Sequence, residues 1–154
     1  ARIKEPTPDS RSRFGGSVAI SGNIMAVSND SGTQRDGRAY LYELNEQPGS
    51  LSIKELANIK PTSTAPVDRY GNPQYLPFSA IALSEKFFAV GVDNCGCVGL
   101  CSLQGGKWEF KKTFKPSGTS GQMFGRSISI TNGYLAIADG RNGYGQVYIH
   151  ELPQ

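Results

Sequence analysis

A 15-residue pattern written twice constrains this chain more than any other feature. Phe14-Gly15-Gly16-Ser17-Val18-Ala19-Ile20-Ser21-Gly22-Asn23-Ile24-Met25-Ala26-Val27-Ser28 returns 110 positions later, from Phe124-Gly125 to Ile137-Ala138. A looser copy, Phe78-Ser79-Ala80-Ile81-Ala82-Leu83-Ser84-Glu85-Lys86-Phe87-Phe88-Ala89-Val90-Gly91, lies between them. Aligned on Ala26, Ala89 and Ala136, the copies are 63 and 47 residues apart. Such spacings mark a chain built of repeated units, each too small to bury its apolar face alone.

The pattern inside each copy is that of strands. Ser17 to Ile20 alternates, Ser21-Gly22-Asn23 forms a tight turn, and Ile24 to Ser28 is a second strand. After the polar loop Asn29–Gly37 comes a third strand, Arg38 to Leu44. A fourth, Leu51 to Lys60, is stopped by Pro61, which has no N–H to give to a ladder. The second unit repeats the order with Ala80–Leu83, Phe87–Val92, Cys97–Leu103 and Trp108–Lys115, stopped by Pro116. The third has Ser127–Ile130, Tyr134–Ala138 and Gln146–Leu152, with no fourth strand after them. The nineteen glycines and nine prolines suit many short strands and tight turns.

Four antiparallel strands per unit, repeated near every 50 residues, predict an all-β chain of β-propeller blades. The expected single domain, 1–154, has blades at about 14–61, 78–116 and 124–152. Residues 1–6 are expected to complete the last blade. Ile3-Lys4-Glu5-Pro6 resembles the strand ends Ile59-Lys60-Pro61 and Phe114-Lys115-Pro116 with one residue inserted. Three blades are too few to close a ring, since propellers have roughly four to eight. This strand is therefore expected to pair with a neighbouring chain, making a homo-oligomer. The motif glycines and Ala26, Ala89 and Ala136 are expected to let inner strands pack near the axis. Val18, Ile20, Ile24, Ala26, Leu41, Ile81, Ala89, Val98, Leu100, Ile128, Ala136, Val147 and Ile149 are expected to be buried between blades.

Three elements together carry a family resemblance: Phe-Gly-x-Ser-Val/Ile at residues 14–18 and 124–128, Met25-Ala26-Val27 or Leu135-Ala136-Ile137 after the turn, and Gly37-Arg38-Ala39-Tyr40-Leu41-Tyr42 or Gly145-Gln146-Val147-Tyr148-Ile149-His150. They resemble FG-GAP repeats, over nearly the whole chain. The resemblance implies the propeller of integrin α subunits and of many secreted proteins, and hence an extracellular or secreted location. The family's Gly-Ala-Pro element has no match here: Val27-Ser28-Asn29, Gly91-Val92-Asp93 and Ile137-Ala138-Asp139 occupy its place. The resemblance therefore implies the repeat fold rather than an integrin-like role.

The family's calcium loop, between the first and second strands, is also missing. Calcium takes about 6–8 oxygen ligands. The turns Ser21-Gly22-Asn23, Ser84-Glu85-Lys86 and Thr131-Asn132-Gly133 are too short and carry at most one carboxylate. Asp30 with Asp36 is more simply an Asx-type loop cap. Cys95, Cys97 and Cys101 crowd one region. On a strand Cys97 and Cys101 lie about 13 Å apart, too far for one zinc ion. A disulfide within this set, or buried thiols, is expected instead. No cofactor or metal is expected.

His150 is the single histidine and occupies the repeat position of Tyr42, so a structural role is expected. No nucleophile–base pair is visible, and the chain is not read as an enzyme. Lys111, Lys112 and Lys115 form the solvated edge of a strand, and the net charge of +3 gives no case for nucleic acid. No run of 18 apolar residues predicts a membrane-spanning helix. Asn29-Asp30-Ser31 matches a glycosylation acceptor.

In a propeller, the loops joining strands two to three, and blade to blade, share one face. Here these are Asn29–Gly37, Thr62–Pro77, Asp93–Gly96 and Asp139–Gly145. Tyr70, Tyr75, Arg141 and Tyr144 are the expected ligand contacts, because aromatics and Arg dominate interface hot spots. The expected function is a non-catalytic extracellular module that binds protein or glycan through this face. The alternative is a self-assembling structural subunit that forms a closed ring or a filament by inter-chain strand pairing.

Overall fold

A computed structural model of the chain describes residues 1–6, 12–31, 37–59, 78–92, 96–116, 123–140 and 145–153. Among these residues the chain is all-β. The first sheet contains β1 (Ser12–Ser21), β2 (Ile24–Ser31), β3 (Arg38–Gln47) and β4 (Ser50–Ile59). The second contains β5 (Phe78–Leu83), β6 (Phe87–Val92), β7 (Cys97–Gln104) and β8 (Lys107–Phe114). The third contains β9 (Phe124–Ile130), β10 (Tyr134–Asp139) and β11 (Gln146–Glu151). Each sheet is antiparallel with neighbours in chain order, and none closes on itself.

The repeated motif has a concrete structural role. The first strand of every sheet carries a register shift at the same place, at Phe14, Phe78 and Phe124. Gly15 and Gly125 follow the phenylalanines with φ of 89° and 82°, a left-handed conformation that a Cβ disfavours. The short turns are locally closed. Ser84 Oγ accepts from the Phe87 N–H at 3.1 Å, and Thr131 Oγ1 accepts from the Tyr134 N–H at 3.0 Å.

The three sheets stack face to face, so the core consists of two layers. The first layer joins Ala26, Ala39 and Leu41 of the first sheet to Ile81, Leu83, Phe88, Val90 and Val92 of the second. The other joins Ala89, Val98, Leu100 and Phe114 of the second sheet to Phe124, Leu135 and Ile137 of the third. The second sheet is thus covered on both faces. The first and third sheets are each covered on one.

That arrangement corrects part of the expected core. Ala26, Leu41, Ile81, Ala89, Val98 and Leu100 are buried, and Ile24, Ile128 and Ala136 are half-buried. Val18, Ile20, Val147 and Ile149 are instead exposed. Their alternation places them on inter-sheet faces, but on the two faces that no sheet of this chain covers. Residues 1–6 form no strand here. Ile3 packs against Val27, Tyr40 and Tyr42 on the uncovered face of the first sheet, and Glu5 accepts a hydrogen bond from Asn29 Nδ2.

Candidate interaction surfaces

The covered interfaces define what a sheet face in this chain needs. Small and branched aliphatic residues of one sheet's leading face (Ala26, Ala39 and Leu41) meet larger residues of the next sheet's trailing face (Ile81, Leu83 and Phe88). A polar contact crosses this layer: Ser17 Oγ accepts from the Ile81 N–H at 3.1 Å. At the second interface the sheets approach closely at Gly125. A Cβ there would lie 2.6 Å from Val98 Cγ2 and 3.3 Å from the Cys97 carbonyl. The expected close approach of motif glycines therefore holds at Gly125. It fails at Gly15, where a Cβ would meet nothing within 4 Å. Both glycines have the same backbone conformation; only Gly125 has a neighbouring sheet.

The uncovered faces repeat these positions. On trailing faces, Ile81 and Leu83 are 6% and 7% exposed, whereas their repeat equivalents Val18 and Ile20 are both 63% exposed. On leading faces, pairing to Ala26, Ala89 and Ala136 makes Leu41, Leu100 and Ile149 equivalent. Leu41 and Leu100 are 0% and 5% exposed, and Ile149 is 70%. One pair further along, Ala39 and Val98 are fully buried while Val147 is 65% exposed. Ser127, the equivalent of Ser17, also lies exposed on this leading face. The molecule therefore presents an exposed trailing face at one end of the stack and an exposed leading face at the other.

The trailing face of the first sheet has a second part. Phe14, Tyr40 and Tyr42 form an aromatic row, with Phe14 edge-on to Tyr40 at 5.8 Å between centroids. Both tyrosine hydroxyls are buried without a hydrogen-bond partner among the described residues. Burial, with Glu55 and Tyr40 adding, pushes the Tyr42 hydroxyl up to about 12. Elsewhere, a groove of about 500 Å³ between the first two sheets is lined by Leu56, Leu103 and Trp108. Another, of about 460 Å³, is lined by Lys86, Lys111, Lys112 and Pro153. Lys111 is already engaged by Glu109 and Gln104, each at 2.9 Å.

The residues expected from the sequence to contact a ligand, Tyr70, Tyr75, Arg141 and Tyr144, lie outside the described residues, as do Cys95 and Asp36. Asn29 is buried, with its amide nitrogen donating to Glu5. Cys97 is disulfide-bonded, and Cys101 is a buried free thiol that burial pushes up to about 11. His150 stacks at a tilt on Phe114, 4.4 Å between centroids. Burial, then the Lys112 charge, lowers its pKa. Among the described residues no three His, Cys, Asp or Glu side chains are grouped to hold a metal ion, and no helix is long and apolar enough to cross a membrane.

The faces of Val18/Ile20 and Val147/Ile149 were missed as interaction surfaces by sequence reasoning, which read them as core. A count of faces contains the signal: an unclosed stack of three sheets has two outer faces. No protein-family model, no curated protein and no solved structure matches the chain.

Proposed function

We propose that this chain is a stretch of propeller-type repeats, similar to FG-GAP repeats, that works as a non-catalytic module by binding protein through its open sheet faces. The observation carrying this reading is the exposure of Val18, Ile20, Val147 and Ile149 at repeat positions that are buried or half-buried wherever a neighbouring sheet is present. Exposed apolar surface at such positions is the mark of an interaction site. Its chemistry favours protein over glycan as the partner, because valine and isoleucine offer apolar area without hydrogen bonds to hydroxyls. The disulfide at Cys97 supports an extracellular location, since disulfides persist in oxidising compartments.

A tandem fusion of two copies through a flexible linker tests the reading. If the open faces dock sheets, tethering raises their effective concentration, and the fusion melts in one transition above the single chain. A fusion that melts as the single chain does would remove the reading.

A further inference from the structure

We infer that the partner for these faces is a second copy of this chain, docked head to tail. The exposed leading face of the third sheet (Ala136, Val147 and Ile149) packs on the exposed trailing face of the first sheet (Val18 and Ile20) of the other copy. This inference rests on the binding role proposed above and names the partner. Its basis is continuity with the two interfaces already inside the chain. Each buries a leading face against a trailing face at the same repeat positions. The two faces left over are one of each kind, so they are complementary rather than self-complementary.

The correspondence extends to single groups. Ile81 N–H donates to Ser17 Oγ across the first interface. The repeat equivalents are Val18 and Ser127, so Ser127 Oγ accepts from the Val18 N–H of the second copy. Gly125 lies against Val98 and Gly91 of the preceding sheet. Gly15, with open space around its missing Cβ, takes the same place against Val147 and Ala138 of the second copy. A heterologous contact used twice closes two chains into a two-fold ring of six sheets, within the roughly four-to-eight range of propellers. Ile3 occupies part of the trailing face, beside Tyr40 and Tyr42, so docking displaces residues 1–6.

Two blocked variants of the 154-residue chain test this, because the changed side chains are exposed; circular dichroism checks that each variant keeps the fold. Val18→Lys/Ile20→Lys blocks one face, and Val147→Lys/Ile149→Lys blocks the other. In sedimentation over a concentration series, the unmodified chain is expected to reach the mass of two copies. Each variant alone stays at the mass of one, and an equimolar mixture forms one-to-one pairs through the remaining intact faces. Ser127→Ala weakens pairing severalfold, and deletion of residues 1–6 strengthens it. A chain that stays monomeric throughout overturns the inference, and so does a blocked variant that pairs with itself. Loss of pairing on deleting residues 1–6 also overturns it, placing the contact at the β11 edge instead. The tandem fusion keeps the two claims apart. A stabilised fusion with monomeric free chains shows that the faces dock sheets only when tethered, which leaves the binding reading standing and overturns pairing of free copies.

Discussion

Ile137 and Ile149 belong to the same three-stranded sheet, in adjacent rungs of one ladder, and differ in almost everything that matters energetically. Ile137 is fully buried against the second sheet, and Ile149 is 70% exposed on the opposite face. Their side chains are identical and both sit in regular antiparallel pairing. What separates them is the presence or absence of a neighbouring sheet. Leu41 and Val18 repeat the contrast on the first sheet, where one face is covered and the other is open. Alternation along a strand assigns a residue to a face. Whether that face is buried is a property of the stack.

The largest expected effect breaks or confirms this contrast directly. Ile137→Ala should cost about 2–5 kcal/mol of unfolding free energy, the range for emptying a buried aliphatic site. Ile149→Ala should cost under about 0.5 kcal/mol in the isolated chain, as exposed positions do. Chemical denaturation at a concentration where the chain is monomeric measures both. Equal costs would mean that both faces are covered in the isolated chain.

The glycine pair offers a second, smaller contrast. Gly125→Ala adds a Cβ 2.6 Å from Val98 Cγ2, on a backbone with φ of 82°. Overpacking costs about 1–3 kcal/mol and left-handed strain about 1–2 kcal/mol, so their sum should be visible in the melting temperature. Gly15→Ala has the same backbone penalty, about 1–2 kcal/mol, with no clash. If Gly15→Ala proves as costly as Gly125→Ala in the monomer, the close-approach argument fails.

The strands were legible because each carries its own signal in alternation and turn residues. Phe87–Val92 was read to the residue, and Ser17–Ile20 lies inside a longer β1. The extension at β1 was hidden because the alternation begins only at Ser17, while the structure carries Phe14-Gly15 as a bulge within the strand. The facing of Val18 and Ile20 was also legible, but their exposure was not. Periodicity reports a residue's own strand, whereas burial depends on a neighbouring sheet, which the strand's own sequence does not encode. The expected binding loops follow from propeller topology, and Tyr70 and Tyr144 lie outside the described residues. Ser17 shows a subtler gap. It reads as a small motif residue, yet its hydroxyl accepts from the Ile81 backbone across 64 positions, a pairing that no local pattern encodes.

Ser17 and Ser127 sharpen the comparison at the scale of one hydrogen bond. Ser17→Ala leaves the Ile81 N–H without this acceptor and should cost about 1 kcal/mol. Ser127 is exposed, so Ser127→Ala should leave the monomer unchanged within error. A measurable loss at Ser127 in the isolated chain would mean that its hydroxyl already has an internal partner.

The smallest effect concerns pH, and it probes the covered face of the third sheet. His150 lies on that face against Phe114, and its pKa is lowered from 6.5 by burial and then by Lys112. Above pH 6.5 the imidazole is neutral in both folded and unfolded chains and has no influence on stability. As pH falls below 6.5, the unfolded chain takes up the proton first, so folding stability declines. The decline ends once pH passes below the lowered folded-state value, where both states are protonated. Because the ring is only partly buried, the loss should be modest, a small drop in denaturation midpoint between pH 7 and pH 5. Two variants separate the causes. His150→Phe should abolish this component of the pH dependence by removing the titrating group. Lys112→Gln should only reduce it, because burial is the larger cause. An unchanged profile in His150→Phe would assign the pH dependence to carboxylates and leave the packing of His150 on Phe114 without energetic consequence.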